Sequence, residues 1–344
     1  MTRRKPIAVD LFSGAGGLSE GLKQAGYRVA GAVEVDVAAC RIYRLNHPRV
    51  RLWNRDIRKL PATTMLKELR LRRGRLDLLA ACPPCQGFSA MRTRNGAKRN
   101  RDGRNDLIFD VLRFAKKLRP KTLMLENVPG LARNARFRLF RKRLLAMGYQ
   151  VTWRVLNTVD FGVPQRRKRL VLLAARGVEP TFAAQARQPR TVRQAIGGLK
   201  PPARSRDPVH NYAVRRQPKV MALIREIPKD GGSRAARGRR VQLVCHREHD
   251  GFYDVYGRMA WDAPSPTITG GCINPSKGRF LHPRAHRAIT LREAALLQTF
   301  PPGYRFPLEH GGRYNIALMI GNALPPEFIR RHALALRGSA AASA

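Results

Sequence analysis

The sequence predicts a doubly wound α/β domain carrying a small, irregular inserted domain, and three observations lead there. Short apolar runs of strand length alternate with helix-period stretches through the first half of the chain, the pattern of a mostly parallel sheet covered by helices. The first run leads into a glycine turn, a helix and a second run ending in acid, the order of a nucleoside-binding βαβ unit. After about Gly177 the texture changes. The stretch to about Asp250 is irregular, with Pro201-Pro202, Gly231-Gly232 and clustered arginines at 234–240, and reads as a separate small domain or a large insertion.

Taken in order, residues 7–12 read as a strand, Ser13-Gly14-Ala15-Gly16-Gly17 as a tight turn, and 18–25 as a helix stopped by Gly26. Residues 29–35 read as a second strand bearing Glu34, with Asp36 just beyond. Glycines let backbone approach a ligand, and a carboxylate about 20 residues on can bind ribose hydroxyls. The pattern is not GxGxxG, so a dinucleotide is not indicated. Residues 51–57 read as a third strand ending near Asp56, which reads equally well as a surface aspartate. Residues 76–81 form a buried run delivering Pro83-Pro84-Cys85-Gln86 to the sheet edge where open α/β folds place ligands. Prolines there fix the backbone around a thiol suited to nucleophilic work. Cys82 reads as core. The basic, glycine-bearing segment 90–104 reads as a mobile loop suited to phosphates. A helix at 106–118, a buried strand at 122–125 ending in Glu126-Asn127, a basic helix at 137–147 and a strand pair at 149–156 and 170–174 follow. Order resumes at about Tyr256, with helices expected at 291–298 and 327–336 and a disordered tail at 338–344.

Sixty-seven Lys and Arg against 23 Asp and Glu give a net charge of +44, which favours a polyanion such as nucleic acid. At 344 residues and 43% hydrophobic, the chain can build a large packed core. Five scattered cysteines and a start that runs directly into a strand fit a reducing cytoplasm. No apolar run approaches the roughly 20 residues of a membrane span. Cys82 and Cys85 form a CxxC, but the glycine-rich context is unlike a redox motif. Cys245-His246 with His249 lacks a second ligand pair, so no metal is expected.

Together these motifs resemble the DNA (cytosine-5)-methyltransferases of the bacterial modification type, in family order over nearly the whole chain outside about 178–255. The resemblance implies a Rossmann-like, S-adenosylmethionine-dependent methyltransferase domain. Asp10 to Gly17 is similar to the cofactor loop, so Phe12, Gly14 and Gly16 would line the cofactor, with Phe12 on adenine, Glu34 at the ribose and Asp56 at the adenine amino group. Pro83-Pro84-Cys85-Gln86 is similar to the nucleophile motif, with Pro83 beside the cofactor. Glu126-Asn127-Val128 resembles the base-binding acid. Gln165-x-Arg167-x-Arg169 resembles the motif that holds the reacting cytosine, with Arg169 at O2 and Arg167 in support. Thr267 falls where the family packs a threonine near that site. Gly321-Asn322 resembles the last motif, which folds back against the cofactor.

The implied organisation is a catalytic domain at 1–177, a target-recognition domain at 178–255 and a segment at 256–337 returning to the catalytic domain. The implied substrate is double-stranded DNA at a short fixed sequence, methylated by a monomer in the cytoplasm at the nucleoid, with a restriction endonuclease as functional counterpart. A tRNA cytosine-5 methyltransferase of the same fold and a catalytically silent DNA-binding protein are the rival readings. Phe88-Ser89 after the nucleophile motif favours DNA, and intact Cys85, Glu126 and Arg169 argue against silence.

Overall fold

The computed structural model describes residues 4–84, 103–212, 214–234 and 254–342. They fall into two compact units, one of residues 1–161, 168–185 and 324–344, the other of 162–167 and 186–323. No helix among the described residues is long and apolar enough to cross a membrane.

The first unit alternates strand and helix: β1 (Ile7–Leu11), α1 (Gly17–Gln24), β2 (Arg28–Glu34), α2 (Val37–Asn46), β3 (Arg51–Asn54), α3 (Ala62–Glu68), β4 (Leu78–Ala81), α4 (Ile108–Leu118), β5 (Thr122–Asn127), α5 (Ala135–Ala146), β6 (Tyr149–Asn157) and β7 (Lys168–Arg176). Seven strands form one sheet in the order β3-β2-β1-β4-β5-β7-β6. Strands β1 to β5 pair in parallel, and β7 runs antiparallel to both β5 and β6. The doubly wound order expected from sequence is therefore present, with an antiparallel pair closing one side. Beside β1 the strand order reverses, since β2 lies on one side and β4 on the other, and such a switch point opens a crevice at the carboxyl ends of the strands.

Strand identity follows from burial. β1 and β4 are buried along their whole length, as continuous apolar runs in a covered parallel sheet must be. Helix α1 packs on the C-terminal helix (Pro326–Ala342) through Gly21, where a Cβ would stand 2.5 Å from the Pro326 carbonyl oxygen. Only glycine permits that approach.

Two helices of the first unit escaped the sequence reading. α2 begins on Asp36, whose carboxylate accepts from Ala39 N at 2.7 Å and so caps the helix rather than simply ending a strand. α3 is short and mixed in composition. β3 stops at Asn54, and Asp56 caps a turn of 3₁₀ helix (Ile57–Lys59). The C-terminal helix runs to Ala342, through part of the segment expected to be disordered. Its end is rich in alanine, the strongest helix former.

The second unit holds short helices on long loops: α6 (Val192–Ile196), α7 (Pro218–Glu226), α8 (Leu291–Leu297) and α9 (Gly312–Asn322). Thr191 with Gln194, and Thr290 with Glu293, close reciprocal capping boxes that fix where α6 and α8 begin. The unit runs on to Ala323, past the boundary expected at 255, because its apolar core spans that boundary. Leu223, Ile224 and Ile227 pack with Val255, Tyr256 and Leu281.

Candidate active site

At the carboxyl end of β1 the backbone turns through left-handed conformations at Phe12 (φ 65°), Gly14 (φ 53°) and Gly16 (φ 99°). A bulky residue held at positive φ is strained, and such strain gathers at ligand sites. Glu34, at the end of β2, is gripped by backbone: Gly14 N donates to Oε2 at 2.8 Å, and Val35 N and Asp36 N donate to Oε1, each at 2.8 Å. The structure thus joins the expected loop residues and Glu34 into one cradle. Asp56, past β3, is held by Arg58 through Nε, Nη2 and the backbone N, and that pairing keeps its carboxyl below the usual range.

The cradle also contains unspent polar capacity. Among the described residues, Ser13 Oγ and Asp10 Oδ1 are buried without a hydrogen-bond partner, and nothing lies within 4 Å of where a Gly14 Cβ would stand. Buried polar atoms are almost always paired, so unpaired ones beside open space fit a polar ligand. Asp10 is fully buried. Ser19 Oγ donates to its Oδ2 at 2.6 Å and lies 2.7 Å from the Tyr43 hydroxyl. Burial, helped by the Glu34 charge and opposed by the Ser19 hydrogen bond, pushes the Asp10 carboxyl up to about 7.

The second cluster stands where β4 and β5 end. Their parallel register pairs Ala81 with Leu125, so one step further brings Cys82 beside Glu126 and Pro83 beside Asn127. Asn127 Nδ2 donates to the Pro83 carbonyl oxygen at 3.0 Å, tying down the chain just before Cys85. Cys85 itself, with most of the basic segment 90–104, lies outside the described residues, as do Cys245, His246 and His249.

Glu126 is 3% exposed. Arg169 Nε on β7 lies 2.8 Å from its Oε1, a charge contact without the alignment of a hydrogen bond, so Oε1 keeps its hydrogen-bonding capacity. Arg169 Nη1 donates to the Lys168 carbonyl oxygen at 2.8 Å, which fixes the guanidinium. Cys82 was expected in the core. It is instead half-buried, and its thiol donates to Glu126 Oε2 at 2.9 Å. The register of β4 against β5 was the signal that could have found this contact.

The remaining expected residues lie in the second unit. Gln165 bridges by backbone to Ser265, accepts from Ile268 N at 2.9 Å and donates to Gln298 Oε1 at 2.8 Å. Arg167 is 3% exposed and donates through Nη1 to the Ile268 carbonyl oxygen at 2.8 Å, the position of a brace. Thr267 Oγ1 donates to the Arg166 carbonyl oxygen at 2.7 Å. Gly321 lies against the same segment. A Cβ there would come within 2.2 Å of the Thr269 backbone, and Asn322 follows, exposed, as the last residue of α9. Gln298, unread in the sequence, is buried and ties this segment to α9 by donating to the Ile320 carbonyl oxygen at 2.6 Å.

The chain is similar to several known proteins. The model of the C-5 cytosine-specific DNA methylase family matches residues 7–337. The Type II methylase M.HgiDII of Herpetosiphon aurantiacus is 33% identical over 333 residues, spanning 92% of this chain and 91% of that protein. The Type II methyltransferase M.XorII of Xanthomonas oryzae pv. oryzae is 30% identical over 371 residues, spanning 96% and 84%. Among solved structures, a prophage-encoded DNA modification methyltransferase from E. coli superposes with a TM-score of 0.70 at 25% identity, covering 97% of this chain and 99% of that one. The S. pombe Dnmt2 methyltransferase does so with a TM-score of 0.64 at 19% identity, covering 98% and 99%.

Proposed function

The chain belongs to the C-5 cytosine-specific DNA methylases, which use S-adenosylmethionine, and from that premise we propose a residue-level mechanism on double-stranded DNA. The observation that carries it is the Glu126–Arg169 pair at the carboxyl edge of the sheet, one strand over from the segment that leads into Cys85.

Cytosine C5 is a poor nucleophile because its ring is aromatic and electron-poor. The Cys85 thiolate adds at C6 and moves electron density onto C5. Glu126 donates a hydrogen bond or proton to N3 as that charge develops, and Arg169 stabilises the charge at O2. Arg167 supports the segment that carries Thr267. S-adenosylmethionine, when bound, supplies the activated methyl group that C5 attacks. Phe12, Gly14, Gly16, Glu34, Asp56 and Pro83 would hold it, and Ser13 Oγ, unpaired among the described residues, and the open space at Gly14 suit a polar, nucleoside-bearing guest. Loss of the C5 proton to a base then lets the thiolate leave. The reacting base must first swing out of the duplex, because a stacked ring gives Cys85 no access to C6.

The target is a short fixed sequence read by the second unit while basic residues grip phosphates, and one strand of a palindrome at a time needs only a monomer. The setting is the cytoplasm, on nucleoid DNA, with a restriction endonuclease as functional counterpart. Bisulfite sequencing of DNA from a methylation-deficient host expressing the chain, beside its Cys85→Ala form, tests the reading. Protected cytosines at one recurring sequence, absent in the variant, are expected. Uniform conversion with folded protein present would overturn it and turn attention to RNA substrates.

A further inference from the structure

The β4–β5 edge holds a group that the proposed mechanism does not use. Cys82 is fixed from both sides: its own N–H donates to the Leu11 carbonyl oxygen at 3.3 Å, and the next residue's carbonyl is held by Asn127 at 3.0 Å. With the backbone so tethered, and β4 in register with β5, the thiol meets Glu126 Oε2 at 2.9 Å. The two carboxyl oxygens are therefore in different states. Oε2 accepts a hydrogen bond, whereas Oε1 faces Arg169 without one.

We infer that Cys82 is a positioning residue for Glu126, a thiol that pins Oε2 and so presents Oε1 to the incoming base. This rests on the role proposed above for Glu126. A buried carboxyl without such a pin can rotate about its last torsion, where the rotamer preference is broad. A thiol suits the task because it is a weak donor. It orients the group without holding it strongly in its ionised form, whereas a lysine in its place would add a second tight ion pair to that with Arg169.

The test uses the full-length chain with Cys82→Ala and Cys82→Ser, assayed for methyl transfer to unmethylated duplex DNA, for S-adenosylmethionine binding and for thermal unfolding. Cys82→Ala is expected to lower kcat about tenfold, the scale of a small misplacement of a reacting group, with KM for DNA and cofactor affinity within about twofold. Cys82→Ser restores a donor and should return kcat to within about threefold of the wild-type value. Equal losses in both variants, or a wild-type kcat in Cys82→Ala, would overturn the inference.

A second readout needs no activity. In the difference infrared spectrum of wild type minus Cys82→Ala, the S–H stretch should lie below that of a free thiol. It should return to the free position when Glu126→Ala is the background. A free-thiol band in the otherwise wild-type chain would also overturn the inference. Absence of methyl transfer by the wild type would strike the proposed mechanism instead, leaving the infrared band to decide the contact.

Discussion

Each unit of the molecule buries an ionisable side chain completely, and the two are treated in opposite ways. In the second unit Arg258 is fully buried and spends all its donors. Nε reaches the Ile227 carbonyl oxygen, Nη1 those of His282 and Ala285, and Nη2 that of Ile224 together with His286 Nδ1, at distances from 2.6 to 3.1 Å. In the first unit Asp10 is just as buried, yet Oδ1 has no hydrogen-bond partner among the described residues. A unit built of loops has few ladders to satisfy its carbonyls, so a guanidinium with five fixed donors does that work. A unit built on a sheet is already satisfied along its strands and can leave polar capacity unspent at their ends. A buried ionisable group is thus a brace in one unit and a stored cost, set beside the turn after β1, in the other.

The largest expected effect breaks the brace. Arg258→Met leaves several buried carbonyls unpaired and should destabilise the second unit by about 4 kcal/mol, read from urea unfolding. A loss below about 1 kcal/mol would mean that the loops hold without it.

The next prediction concerns the stored cost. Asp10 keeps its proton up to about 7 when folded and releases it near 3.8 when unfolded. Its contribution to stability is therefore complete below about 3.8 and falls away as pH rises to 7. Asp10→Asn, which cannot ionise, should gain stability relative to wild type across that window, by roughly 4 kcal/mol at its upper end. Melting temperatures of the two proteins at pH 5 and pH 8 check the sign. A difference that shrinks with pH would contradict the burial argument.

Glu126→Gln sharpens the contrast from the side of chemistry. It should lower kcat by about 100-fold, the usual contribution of a placed acid, while cofactor binding persists. The smallest effect is expected at Arg58. Its pairing with Asp56 is close but solvent-exposed, so Arg58→Ala should leave the melting temperature of the ligand-free protein unchanged.

The same contrast explains what the sequence made legible. The cradle could be read because its parts are local: a buried run, glycines where the backbone turns left-handed, and a carboxylate at the next strand end. Glu126 and Arg169 could be placed by their motifs, yet their 2.8 Å approach depends on β7 running antiparallel to β5, which no local pattern declares. Cys82 looked like core because its burial was judged alone, without the β4–β5 register that sets it beside Glu126. Arg258 was invisible for a stronger reason. Its acceptors lie between 24 and 34 residues away in sequence, and all but His286 Nδ1 are on backbone whose amino-acid identities carry no sign of the contact. The grouping of residues on either side of position 255 into one unit was hidden for the same cause, since the core that joins them is made of unremarkable apolar residues.

The measurement that tests the central claim most directly is covalent trapping on duplex DNA carrying 5-fluorocytosine in randomised sequence, with S-adenosylmethionine present. Fluorine at C5 cannot leave as a proton does, so an enzyme that adds a thiolate at C6 and transfers its methyl group stays attached. A denaturation-resistant adduct that maps to Cys85 and disappears in Cys85→Ala is the predicted result. No adduct, or one that persists in the variant, would contradict the account.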